Sequence, residues 1–234
     1  MGITKLHNPV LGLVTIGQAP RTDLIPDIAH ILGDTAYVEC GALDDLGPSD
    51  FDLVAPRVGE APLISRMRDG SSVTIGHAAL HPLLERAVFR CEEAGAAAVL
   101  VLCTGNLGEV RAKVPVFYAE RLAQMGVRAL TGGQRVGIVS PLPGQVAEAS
   151  ARWERLLRMP VLAEFANPYS GDVGAVGEAA ARLASGGAQW IFLDCIGYTE
   201  EMRAVARAAG VPVLLARAIA ARLALEAVAG WPDV

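Results

Sequence analysis

Two cysteines carry the strongest chemical signal in this chain. Cys103 and Cys195 each close an apolar run and each stands two residues before a glycine, in Leu102-Cys103-Thr104-Gly105-Asn106 and Asp194-Cys195-Ile196-Gly197-Tyr198. A thiol at a strand terminus lies near the backbone N–H groups of the following turn, which favour its ionised form and suit it to act as base or nucleophile. Two such thiols on opposite sides of one carbon would exchange its proton, one removing it from one face while the other delivers a proton to the opposite face. Cys40 and Cys91 lack converging polar neighbours and read as small buried hydrophobes. None of the four cysteines forms a CxxC pair, so neither a disulfide framework nor a structural zinc site is expected.

A second group lies in Thr15-Ile16-Gly17-Gln18-Ala19-Pro20-Arg21-Thr22-Asp23. Gly17 lets backbone approach a ligand, and Arg21 has the geometry to grip a carboxylate with two parallel hydrogen bonds. Thr22 and Asp23 are accounted for as helix caps; Gln18 and Arg21 are not, and read as binding residues beside Thr15. Thr104, Gly105, Asn106 and Ser140 are further strand-end candidates for holding an anionic substrate, as are Asn167, Gly197 and Tyr198. Tyr169 is a weaker candidate of the same kind, and Asp194, pointing away from Cys195 by strand alternation, reads as structural. His77 and His81 have the i, i+4 spacing of metal ligands, but neither the glutamate of HExxH nor a third ligand accompanies them, so no metal is expected. Gly171, Gly174 and Gly177 do not make GxGxxG, and no Walker lysine motif occurs, so no nucleotide or other cofactor is expected.

The elements that must position these groups alternate between strand and helix. Strands are expected at 10–16, 37–40, 97–102, 135–139, 161–165, 190–193 and 211–215, from short apolar runs. Two further short strands, 63–67 and 72–75, flank an Asp69-Gly70 hairpin signal. Helices are expected at 22–32, 77–94, 145–159, 172–185, 200–209 and 218–228. Such alternation implies right-handed βαβ units, a mostly parallel sheet and a ligand site beyond the strands' carboxyl ends, where the polar groups fall. The two halves echo each other. Each opens with a strand ending in a hydroxyl residue and a proline loop, and each later has an apolar strand leading to Cys-X-Gly. Duplication and coincidence in a repetitive pattern both account for that echo.

The 234 residues hold one large α/β domain or two small ones, and 52% hydrophobic with 19% charged residues is the composition of a packed core. A net charge of −5 without a basic stripe argues against nucleic acid as partner. The longest apolar run, Ala96 to Leu102, is strand-sized, and Arg217, Arg222 and Glu226 interrupt the apolar C-terminal segment, so no membrane span is expected. Residues 1–6 show neither a secretory nor a myristoylation pattern, and a cytoplasmic location is expected.

The segments 12–21, 136–141, 166–169, 193–198 and 211–217 with 221–224 resemble the AroM family, and the likeness runs over nearly the whole chain. That family looks like a distant relative of the aspartate/glutamate racemase superfamily, with its hydantoin racemases, maleate isomerases and arylmalonate decarboxylases. The resemblance implies an α/β fold of two similar parallel-sheet lobes around a central cleft, here 1–118 with 211–234, and 119–210. The last strand and helix would return to the first lobe. It also implies a small carboxylate-bearing metabolite as ligand and catalytic cysteines at positions 103 and 195; such folds are compatible with a homodimer. Two functions follow: a cofactor-independent isomerase, racemase or decarboxylase, or a small-molecule sensor that kept the cleft without the chemistry.

Overall fold

A computed structural model describes residues 9–230, so the N-terminal residues read for a targeting signal lie outside the described residues. The chain opens with β1 (Val10–Thr15), α1 (Ile25–Leu32) and β2 (Tyr37–Gly41). An antiparallel hairpin, β3 (Leu63–Arg66) and β4 (Ser72–Ile75), turns at Gly70, whose φ of 86° only glycine adopts readily. Then come α2 (His77–Glu93), β5 (Ala96–Leu102), β6 (Val116–Tyr118) and α3 (Ala119–Thr131). The second half consists of β7 (Val136–Ser140), α4 (Val146–Leu157), β8 (Leu162–Phe165), α5 (Val173–Ser185), β9 (Trp190–Leu193), α6 (Glu200–Ala206), β10 (Val213–Leu215) and α7 (Ala216–Ala229).

Two four-stranded parallel sheets result, ordered β2-β1-β5-β6 and β10-β9-β7-β8. Read from its other edge, the second is β8-β7-β9-β10, which matches the first strand for strand. The hydroxyl-ending strands β1 and β7 hold equivalent places, and so do β5 and β9, which lead to the cysteines. The sequence echo therefore extends to the strand order of the two parallel sheets, though the β3–β4 hairpin has no counterpart in the second half and α6 none in the first. Among the described residues no helix is long and apolar enough to cross a membrane.

Side chains alternate across each sheet and fill three cores. Leu11 and Leu13 of β1, with Ala98 and Leu100 of β5, face a central core shared with Val136, Ile138, Trp153 and Phe192 of the second half. Val14, Val99 and Val101 face the opposite way, onto α2. Val139, Ile191 and Leu193 face α5 and α6. Strands buried on both faces explain why these runs are continuously apolar.

Two expectations are corrected. β10 pairs in parallel with β9, so the chain does not return to the first lobe at about Val211. The strand stays in the second sheet, as the counterpart of β6, and only α7 crosses, packing on α1 and α3. In addition, β6 and α3 occupy a stretch to which the sequence reading assigns no element, although Ala119, Ala123 and Val127 recur at helical spacing.

Candidate functional site

The carboxyl ends of β1, β5, β7 and β9 open into one cleft, which the 61–65 strap before and within β3 covers from one side and α4 from another. Its cavity volume is about 70 Å³, room for several water centres or one small acid. Cys103 and Cys195 both line it. Each sulfur accepts a backbone N–H from the glycine two residues on, Gly105 or Gly197, at 3.3 Å in both cases. Space at Gly197 admits only glycine, since a Cβ would meet the Tyr169 ring at 2.6 Å and Pro168 at 2.9 Å, whereas a Cβ on Gly105 would meet only the tip of Leu63, at 2.4 Å, which could turn aside.

These N–H groups do not make thiolates. Burial pushes Cys103 up to about 12 and Cys195 up to about 11, and the glycine N–H groups offset only part of that. The expected lowered pKa is thus corrected: desolvation outweighs the turn's N–H dipoles, and both groups are neutral thiols at neutral pH.

Arg21 lines the cleft and is almost fully buried, but its bidentate face is occupied. Nε and Nη2 each donate to Asp23 at 2.7 Å, and Nη1 donates to Thr15 Oγ1 at 2.9 Å. The expected grip on a substrate carboxylate is therefore already taken by Asp23, and Thr15 stands behind Arg21, outside the lining. Tyr169 lies beside Arg21 and within hydrogen-bonding influence of Cys195, under the Arg66 guanidinium at 4.9 Å. Burial raises its phenol, which remains a neutral donor.

Thr104, Gly105, Asn106 and Ser140 line the cleft as expected. The Ser140 hydroxyl is buried and, among the described residues, has no protein hydrogen-bond partner. Gln18 is elsewhere: its amide donates to the carbonyls of Leu43 and Leu46 at 3.2 and 2.9 Å and braces that loop. Asn167, Gly197 and Tyr198 act from behind the cavity wall. Asn167 Oδ1 accepts the Tyr169 N–H at 2.8 Å, and the wholly buried Tyr198 donates to the Ala166 carbonyl at 2.6 Å.

Asp194 is no bystander: it lines the cleft, accepting from Arg152 Nη2 at 2.6 Å and from the Trp153 indole at 2.7 Å. Arg152 Nη1 also donates to the Thr104 carbonyl at 3.1 Å and to Glu120 at 3.3 Å. Burial raises the carboxyls of both Asp194 and Glu120 from their ordinary range, against the pull of Arg152.

The family model for AroM protein matches residues 11–228. The chain belongs to the AroM family. No curated protein matches it in sequence. Among solved structures it is similar to arylmalonate decarboxylase, at a TM-score of 0.63 and 18% identity over 96% of this chain and 94% of that one. It is also similar to Picrophilus torridus aspartate racemase, at 0.61 and 11% over 94% of each chain. Glutamate racemase from Francisella tularensis subsp. tularensis SCHU S4, solved in complex with D-glutamate, follows at 0.60 and 12% over 94% of this chain and 81% of that one. At these identities the likeness establishes the fold: two parallel-sheet lobes of the aspartate/glutamate racemase type.

In this AroM chain the residues that sequence reading missed sit mainly on α4. Gln145, Glu148, Ala149 and Arg152 all reach the cleft. Their i, i+3, i+4, i+7 spacing places them on one helical face, a polar stripe that was available as a signal. His77 borders the cleft, and among the described residues no cluster of three potential metal ligands occurs.

Proposed function

We propose that this AroM protein catalyses cofactor-independent proton transfer at a carbon beside the carboxylate of a small acid, as a racemase, isomerase or decarboxylase. The observation that carries this reading is that two thiols, each with a glycine N–H on its sulfur, line one enclosed cavity at the strand ends. The neutral state of both sulfurs favours a thiol as proton donor first. On loss of CO₂ the C–C electron pair would pass into an enediolate, Cys195 would deliver its proton to the carbon, and water would reprotonate the sulfur. Racemisation would need one thiolate and one thiol, so one sulfur would first have to lose its proton to solvent before the substrate closes the cavity.

With Arg21 and Arg152 already paired to carboxylates, the acid would be held by neutral donors. These are the Ser140 hydroxyl, Tyr169, Asn106 and the backbone of the 104–106 turn. Deuterium wash-in from heavy water into a panel of small carboxylic acids tests the reading. Exchange by the wild-type protein that Cys195→Ala abolishes supports it; full exchange by Cys195→Ala overturns the assignment.

The raised thiols also favour a second reading, a metabolite sensor with no turnover, because neither sulfur is a thiolate at rest. In that case a small acid would raise the melting temperature without deuterium incorporation.

A further inference from the structure

We infer that Arg152 is a positioning residue that fixes the separation of the two cleft sulfurs by clamping the turn after Cys103 to the strand end before Cys195. The clamp is drawn from hydrogen bonds; its catalytic consequence rests on the proton-transfer reading above.

Arg152 extends from α4, in the second half. Its Nη2 donates to Asp194, the residue before Cys195, at 2.6 Å. Its Nη1 donates across the cleft floor to the carbonyl of Thr104, the residue after Cys103, at 3.1 Å, and to Glu120 at 3.3 Å. Two further bonds close the circuit. Thr104 Oγ1 donates to the Asp194 carbonyl at 3.2 Å, and the Glu120 N–H donates to the Cys103 carbonyl at 3.1 Å. Thr104 and Asp194, one neighbour of each cysteine, are thereby tied to one guanidinium.

The geometry asks for arginine. A planar fork reaches a carboxylate on one side and a carbonyl and a second carboxylate on the other, whereas an ammonium is a single point of charge. The clamp is anchored on its Asp194 side, whose side chain is 3% exposed, while Glu120 at 12% and Arg152 at 23% reach toward the cleft opening. Removing the cation would strand two carboxylates out of water, so the arrangement has little freedom to relax while intact. Trp153, next in sequence on α4, donates to the same Asp194 oxygen and gives that carboxylate a second side-chain tie.

The test uses bis-methanethiosulfonate cross-linkers of graded spacer length, with Cys103–Cys195 bridges mapped by peptide mass spectrometry. Wild-type protein is expected to accept one spacer predominantly. In Arg152→Met that preference spreads over neighbouring lengths, and in Thr104→Val and Arg152→Lys it weakens several-fold. Should Arg152→Met fail to fold, as judged by circular dichroism, the latter two variants decide. An unchanged spacer preference in the folded variants overturns the proposal. In deuterium exchange, Arg152→Lys should lower kcat by up to about a hundredfold, the cost of a misplaced reacting group, with KM nearly unmoved. If wild type exchanges no deuterium while the spacer preference still shifts, the clamp stands and the catalytic reading falls.

Discussion

The ionisation of the four cysteines offers a direct measurement of the site. Burial holds Cys195 at about 11 against an ordinary 9.0. A gap of about two pH units means about a hundredfold less thiolate at pH 8 than an unperturbed cysteine has, and alkylation follows the thiolate. Cys103, at about 12, should lag by a further factor of about ten. Cys40 goes the other way: its contact with the Cys91 thiol, helped by Arg90, lowers it from the ordinary value, so it carries more thiolate than the cleft cysteines at any given pH. Cys91 is raised by the same contact and by burial. Iodoacetamide labelling followed residue by residue with mass spectrometry, from pH 6 to pH 10, separates ionisation from access because access changes the rate but not the shape of the profile. Cys40 should begin to level off within this range, whereas the Cys195 and Cys103 rates should climb about tenfold per pH unit without a plateau. A Cys195 profile that flattens below pH 9 would refute the argument that desolvation dominates the two glycine N–H groups.

Ser140→Ala should raise the unfolding free energy, by about 1 kcal/mol in urea denaturation, because it deletes a buried hydroxyl without a partner. The same variant should weaken binding of whatever acid protects the wild type in a thermal-shift assay, an opposition expected only of a group kept for a ligand. Gly197→Ala should destabilise the protein by about 1–3 kcal/mol, since its methyl would arrive 2.6 Å from the Tyr169 hydroxyl and either the ring or the Cys195 turn must yield. Melting temperature should fall above pH 9: buried thiols raised to about 12 and about 11 contribute stability that is present below 9 and lost as pH climbs through those values. Replacing Cys103 with alanine should flatten that decline in a calorimetric series.

The layered fold was legible because a parallel strand buried on both faces must be an uninterrupted apolar run. In β5 the run from Ala98 through Leu102 sends Leu100 to one core and Val101 to another, and such runs need no tertiary information to be seen. β6 escaped notice because a three-residue edge strand is too short for any period to register, whereas α3 carried a readable helical signal, with Ala119, Ala123 and Val127 recurring every fourth residue, that the sequence reading passed over. The cysteines and the strand-end Thr104, Asn106 and Ser140 were legible because topology alone sends strand ends to the cleft. What could not be read was occupancy and alternation past a strand end. Arg21 has the right shape for a substrate carboxylate, yet Asp23, two residues on, curls back to fill it. Asp194 follows β9, beyond the regular pleat, so strand alternation with Cys195 no longer applied. Cys40 and Cys91, far apart in sequence, meet because α2 packs across β1 and β2.

The repeated topology gives the two sulfurs equivalent frames, each at the end of a third-position strand and each under a glycine N–H, so differences between them arise from the neighbours. After burial and the glycine N–H, Cys103 would be opposed by a Cys195 thiolate and by Glu120, and Arg152 assists it. Cys195 is opposed by Asp194, but the Tyr169 hydroxyl and Arg21 both favour its charged form. Of two thiols in matched positions, Cys195 is the one whose surroundings can carry a transient negative charge after giving up a proton. That asymmetry argues for a directional reaction centred on Cys195, with Cys103 as the neutral partner across the cavity. A protein whose exchange activity depended on Cys103 and survived the loss of Cys195 would contradict it.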